Sequence, residues 1–210
     1  MEDGMANLPA LSDLERDALR EVANIGAGHA ATALSQMTGS KIMISVPEVS
    51  VRALEQVAEL VGPPDTIIAG VLMHVMGDLT GRTLVVLGES SARALCSLLL
   101  RRPPAGPGFD AMQQSTLKET GNILCSAYMN ALSDFLGMML VPSVPALVVD
   151  QAGAVLTTAY LNFGHDRDTV FVVETSFRIE GAKEPLTGQF LLMPDPPSLT
   201  AIFDAIRIAN

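Results

Sequence analysis

Two copies of one short polar pattern, Glu21-x-x-Asn24 and Glu119-x-x-Asn122, carry the residue types best suited to chemistry in this chain. Residues three apart on a helix share a face, about one turn from each other. An Asn amide donates and accepts hydrogen bonds but takes up no proton near neutral pH. It can hold a water in line with a phosphoryl group, where catalysis is mostly positioning and electrostatics. A carboxylate beside it can pair with a partner's Lys or Arg and fix a docking register. Such a device suits a substrate that brings most of its own catalytic apparatus. An aspartyl phosphate on another protein, with its own metal ion, fits that description.

The two copies belong to a longer ungapped repeat, 17–49 against 115–147, at a shift of 98 (119 − 21). Leu19, Ile25, Ala33, Leu34, Ser35, Gly39, Ser45, Val46 and Pro47 also meet their own kind. A repeat of this length sets the architecture. Its apolar positions are what two copies of one fold share anyway, but a core has no use for Glu-x-x-Asn. One isolated copy would read as a solvated helix face, and two matching copies could reflect recent duplication alone. Against that, Asp17 has become Ser115 and Gln36 has become Asp134, whereas Glu and Asn are kept. That selective retention favours a function.

The elements that must position these pairs are two long helices. Ser12 with Glu15, and Asp110 with Gln113, form N-terminal capping boxes. The first helix is expected to run to about Met37 and stop at Gly39, the second to about Phe135 and stop near Gly137. On the first, Leu14, Ala18, Val22, Ile25, Gly26, His29 and Ala33 form an apolar stripe, and Asp17, Glu21, Asn24 and Gly28 share a neighbouring face. Gly28 leaves bare backbone just beyond the pair, and His29 reads as a packed histidine.

Lys41 to Val51 reads as a strand with Pro47 marking an edge position or a break, while Leu54 to Val61 fits a short helix or a strand equally well. Thr66 to Val75 and Gly81 to Leu87 read as a hairpin turning at Gly77-Asp78-Leu79-Thr80, followed by a helix over Ser90 to Leu100. The breaker-rich stretch from Arg101 to Gly108 is a linker. In the second half, Met139 to Val144, Leu147 to Val149, Val155 to Phe163, Thr169 to Ile179 and Gln189 to Met193 read as strands. His165-Asp166-Arg167-Asp168 reads as a turn and Ser198 to Ile208 as the closing helix. The expected fold is α+β: one domain over 1–210 built by duplication, with halves at about 11–102 and 109–210. Its antiparallel or mixed sheet would carry long surface helices about a pseudo-two-fold axis.

Composition narrows the function classes. The net charge of −10 argues against a nucleic-acid surface. Apolar runs fall short of the roughly 18 residues that span a bilayer, so no membrane insertion is expected. The acidic start, MEDGMANLPA, lacks signal-peptide regions, and a cytoplasmic location is expected. Cys96 and Cys125 match no metal-ligand spacing and read as buried free thiols. No P-loop, G-x-S-x-G, H-E-x-x-H or C-x-x-C is present.

The segments REVANIGAGHAATALSQMTG, KETGNILCSAYMNALSDFLG and PSVPALVVDQAGAVL resemble the CheC family of bacterial chemotaxis proteins, relatives of CheX and FliY. The likeness extends over nearly the whole chain. It implies a phosphatase acting on the phosphorylated response regulator CheY, with Glu21/Asn24 and Glu119/Asn122 as two equivalent sites. The Asn would orient the attacking water and the Glu would dock the regulator. The family resemblance implies no metal or cofactor of its own, the Mg²⁺ coming with the regulator. It also implies the receptor deamidase CheD as a partner, with Asp150 in the region associated with that contact. Gly28, as bare backbone beside the first pair, is a further candidate partner-binding position. The alternative is a non-catalytic adaptor that binds the phosphorylated regulator or CheD and acts by sequestration.

Overall fold

A computed structural model of the chain describes residues 12–45, 48–103, 106–163, 169–179 and 186–208. The elements run α1 (Asp13–Thr38), β1 (Ile42–Ile44), β2 (Glu48–Ala53), α2 (Leu54–Val61), β3 (Ile67–Gly77), β4 (Gly81–Gly88) and α3 (Glu89–Leu100), then α4 (Ala111–Leu136), β5 (Leu140–Pro142), β6 (Ala146–Gln151), α5 (Ala152–Phe163), β7 (Thr169–Ile179), β8 (Leu186–Pro194) and α6 (Pro196–Ile208).

The central strands are buried on both faces, with successive side chains entering opposite sides of the sheet. In β4, Val85 and Leu87 enter one core cluster, while Leu84 and Val86 enter a second on the other face. The same split separates Phe190 and Leu192 from Leu191 and Met193 in β8. Helices α1, α3, α4 and α6 cover the first face, and α2 and α5 cover the second. The result is a three-layer α+β fold.

The sheet is woven from both halves of the chain. Its order is β1-β7-β8-β4-β3-β5, with β2 also on β7 and β6 also on β3, and every ladder among the described residues is antiparallel. The first half therefore lends β1 and β2 to the second half's β7, and the second lends β5 and β6 to the first half's β3. At the centre β4 pairs β8, with Leu84 opposite Leu191 and Val85 opposite Phe190. This reciprocal pattern is the pseudo-two-fold arrangement that the repeat implies.

Two readings that the sequence left open are decided, and two others change. The stretch 41–51 holds two strands, β1 and β2, and residues 46 and 47 between them lie outside the description. Leu54–Val61 is a helix. Ala152–Phe163 is also a helix rather than a strand. Its Val, Thr, Tyr and Phe content mimics β-propensity, but Ala152, Val155 and Leu156 bury at helical spacing under the second face of the sheet. Finally, the apolar stripe on α1 is rotated: Leu14, Ile25 and His29 are exposed, and Leu19, Val22, Ala23, Gly26, Ala27, Ala30 and Leu34 face the core. Small residues make that buried face, because α1 packs closely on α4. The expected turn at 165–168 lies outside the described residues.

Candidate functional site

Both candidate pairs sit on helices that begin and end in the same way. Ser12 caps α1 by accepting the Glu15 N–H at 3.2 Å, and the Glu15 carboxylate accepts the Ser12 N–H at 2.7 Å. Asp110 caps α4 by accepting the Gln113 N–H, and the Gln113 side chain accepts the Asp110 N–H, each at 2.9 Å. At the far ends Gly39 and Gly137 both adopt φ 65°, donating to the Ser35 and Ser133 carbonyls respectively through a left-handed cap. Each Asn lies twelve residues from its cap (24 − 12 and 122 − 110), so the two pairs stand at the same height on helices of equal length, 26 residues.

Glu21 and Glu119 are exposed, and Asn24 and Asn122 are partly buried beside them. The core-facing residues lie on the opposite side of each helix, so the pairs point away from the sheet. No side-chain hydrogen bond or ion pair to any described residue engages any of the four. An Asn in the middle of a helix usually competes for backbone groups; these two leave their amides uncommitted. Each site thus presents a carboxylate for pairing with a cation, with an amide one turn further on that can hold a water.

The helices lie side by side. Gly26 of α1 meets Tyr128 of α4 so closely that a Cβ would stand 2.5 Å from its Cδ1 and 3.1 Å from its Cα. Met37, at the end of α1, shares a groove with Ser115, Thr116 and Glu119 at the start of α4, so the two helices run in opposite directions. Tyr128 is itself fixed, by a 3.0 Å hydroxyl contact with Thr175 and by stacking on Phe190 with centroids 4.8 Å apart. Gly121 likewise brings α4 onto the sheet, where a Cβ would lie 2.6 Å from Val71 Cγ1. The two sites are therefore held on one rigid helix pair.

The surroundings of the two sites differ. Gly28, one turn beyond Asn24, is exposed, and a Cβ there would meet nothing within 4 Å. Its counterpart is the larger Ser126, partly buried. Glu119 borders a groove of about 230 Å³ whose other walls are Met37, Leu99, Leu100, Ser115 and Thr116. Sequence reasoning missed this groove, because the chain separates Leu99 from Glu119 by the linker and only the α3–α4 packing unites them. The remaining expected residue, Asp150, lies one residue before the end of the exposed β6 and accepts the Gln151 N–H at 2.7 Å. It lies on a strand paired with β3, opposite Ile68, rather than on α1 or α4.

Ser35 and Ser133 tie the helix ends to the following chain. The Ser35 hydroxyl accepts the Ile42 N–H at 2.9 Å and donates to the Ala31 carbonyl, and the Ser133 hydroxyl donates to the Met138 carbonyl. Both are structural. Cys96 and Cys125 are buried free thiols, each pushed up to about 11 by burial. Among the described residues no three His, Cys, Asp or Glu side chains converge as metal ligands, and no helix is long and apolar enough to cross a membrane.

This α+β fold superposes on the X-ray crystal structure of Thermotoga maritima FliY with a TM-score of 0.77 and 21% identity, covering 96% of this chain and 100% of that one. The CheC-like family model matches residues 14–51 and 112–149, the two segments that hold the Glu/Asn pairs. Over 205 residues the chain is 31% identical to the Bacillus subtilis (strain 168) protein named CheY-P phosphatase CheC, spanning 96% of this chain and 98% of that one. It is also 28% identical over 125 residues to the flagellar motor switch phosphatase FliY of the same organism, which covers 59% of this chain and 32% of FliY. The chain belongs to the CheC-like family.

Proposed function

We propose that the protein is a phosphatase acting on the aspartyl phosphate of a CheY-type response regulator, with two sites. The observation that carries this reading is the doubled Glu/Asn pair, set on the solvent face of two matched helices with no side-chain hydrogen bond or ion pair to any described residue. The name of the Bacillus subtilis relative supports the same substrate.

In this mechanism Glu21 or Glu119 pairs with a cation beside the regulator's phosphorylation site and sets the docking register. Asn24 or Asn122 then accepts a hydrogen bond from a water and holds it opposite the leaving carboxylate oxygen. Water attacks phosphorus, the P–O bond to the aspartyl carboxylate breaks, and inorganic phosphate and free carboxylate leave. Mg²⁺ carried by the regulator neutralises phosphoryl charge. The protein contributes position, which is what an amide with no accessible proton transfer can contribute.

Partner contacts complete the proposal. Bare backbone at Gly28 lets a regulator approach the first site closely. Exposed Asp150, on β6 rather than on α1 or α4, is the contact for a CheD-type deamidase, where its carboxylate can meet a cation.

The test follows phosphate loss from a phosphorylated CheY-type regulator with Mg²⁺, using wild type, Asn24→Ala, Asn122→Ala and the double variant. Each single variant keeps part of the acceleration, and the double returns to the spontaneous rate. A hundredfold acceleration corresponds to about 2.7 kcal/mol of transition-state stabilisation. Wild type that binds the phosphorylated regulator without accelerating its decay makes the protein an adaptor instead.

A further inference from the structure

The exposed faces of α1 and α4 carry more than the Glu/Asn pairs. Leu14 is 57% exposed and Met112 is 59% exposed, and the two occupy equivalent positions, since 112 − 14 is again 98. Ile25 is 44% exposed, and its equivalent Ile123 is partly buried against the core. Single exposed apolar residues are ordinary on protein surfaces. A large apolar side chain at the same exposed position in two copies that have diverged elsewhere is a different observation.

Helix geometry sets these residues in line with the carboxylates. Leu14 lies seven residues before Glu21, two turns or about 10 Å along the axis, and Ile25 lies one turn beyond it. All three project within a narrow arc opposite the buried face. On α4, Met112, Glu119 and Ile123 repeat the order, and where Ile123 is less exposed the groove beside Glu119 adds the apolar walls of Met37 and Leu99. Each helix therefore offers an apolar contact, a carboxylate and a second apolar contact, running continuously into the Asn.

We propose that Leu14 with Ile25, and Met112 with Ile123, are the apolar anchors by which the phosphorylated regulator docks, so that they determine which regulator is accepted. The occupant is the protein that bears the aspartyl phosphate. The stripe calls for a regulator surface in which a cation beside the phosphorylation site is flanked on both sides by apolar side chains. Continuity with the Glu/Asn pair and charge complementarity to the carboxylate identify it: a partner seated on the carboxylate must cover the residues one and two turns away. This inference rests on the proposed phosphatase reading and deepens it.

The experiment isolates one site at a time. In an Asn122→Ala background, which leaves only the first site working, Leu14→Ser with Ile25→Ser raises KM for the phosphorylated regulator roughly five- to tenfold, as expected for partial loss of two apolar contacts. The kcat of that variant stays within about twofold, because neither side chain reaches the reacting atoms. In the reciprocal Asn24→Ala background, Met112→Ser does the same for the second site. Exposed Met76, on β3 and off both helices, provides the control: Met76→Ser leaves KM unchanged. Binding of regulator loaded with beryllofluoride and Mg²⁺ is measured in parallel. Unchanged KM and unchanged binding in variants that keep wild-type unfolding temperatures overturn the docking proposal, even where the Asn variants behave as phosphatase residues should. Weakened binding without any wild-type acceleration supports the docking surface and sinks the phosphatase reading. A fall in self-association with KM unchanged assigns the stripe to a second copy of this chain and overturns the proposal.

Discussion

Two glycines on one helix should respond to alanine with opposite signs. Gly26 and Gly28 both cost α1 about 1 kcal/mol each relative to Ala through backbone entropy. At Gly28 a methyl group would enter open space, so Gly28→Ala should recover most of that, stabilising by about 0.5–1 kcal/mol. At Gly26 the new Cβ would sit 2.5 Å from Tyr128 Cδ1 and 3.1 Å from Tyr128 Cα. The Tyr128 ring cannot swing aside cheaply, being hydrogen-bonded to Thr175 and stacked on Phe190. Overpacking of this kind costs about 1–3 kcal/mol. Setting that against the propensity gain leaves Gly26→Ala net destabilising by about 1 kcal/mol. In a chain of 210 residues that is a fall of about 2–4 °C in Tm, with a smaller rise for Gly28→Ala. Thermal unfolding by circular dichroism and calorimetry reads both. Removing the ring leaves only the 3.1 Å approach to the backbone Cα, so in a Tyr128→Ala background Gly26→Ala should cost clearly less than it does in wild type. If Gly26→Ala stabilises the protein as much as Gly28→Ala does, the close α1–α4 contact that holds the two sites together is wrong.

Three further outcomes follow from the caps and from the partner surfaces. Ser12→Ala should lower stability by about 1 kcal/mol through loss of the α1 cap, read by urea denaturation. The Ser12 N–H holds the Glu15 carboxyl below its ordinary range, and the Gln113 N–H does the same for Asp110. A depressed folded-state value means stability is present above the unfolded pKa and is lost as pH falls through the folded one. Unfolding free energy should therefore decline as pH drops below about 4, and less steeply in Glu15→Gln with Asp110→Asn, which start lower at pH 7. Asp150→Lys should abolish pull-down of a CheD-type deamidase while leaving phosphate release from the regulator intact; retained binding would remove Asp150 from that surface.

How much of this was legible in the sequence depended on whether a signal was local or doubled. The caps were readable because Ser12/Glu15 and Asp110/Gln113 are complete local motifs, and both helices end at the glycines expected. The Glu/Asn pairs stood out because they recur, and the structure sets both on matched, exposed helix faces. The face of α1 was not, since a helix buried through Ala23, Gly26, Ala27 and Ala30 hides its core side among small residues and displays Leu14 and Ile25 outward. Close packing on α4 determines that face, and packing is a tertiary fact. Helix α5 reads as a strand from its β-branched content, and its counterpart at the 98-residue shift, α2, left helix and strand equally open, so the repeat could not decide it. The exchange of β1 and β2 onto β7 had no local signal, because pairing between distant strands is fixed by the sheet rather than by either strand alone.

The central claim is that Asn24 and Asn122 act on the water and Glu21 and Glu119 on the partner. One comparison tests it most directly: the Asn24→Ala/Asn122→Ala double variant, measured for binding to regulator loaded with beryllofluoride and for phosphate release from phosphorylated regulator. Binding within about threefold of wild type, with release at the spontaneous rate, is the result this mechanism requires. Release that stays at the wild-type rate would contradict it, as would loss of binding and rate together, which would make the two Asn residues docking contacts.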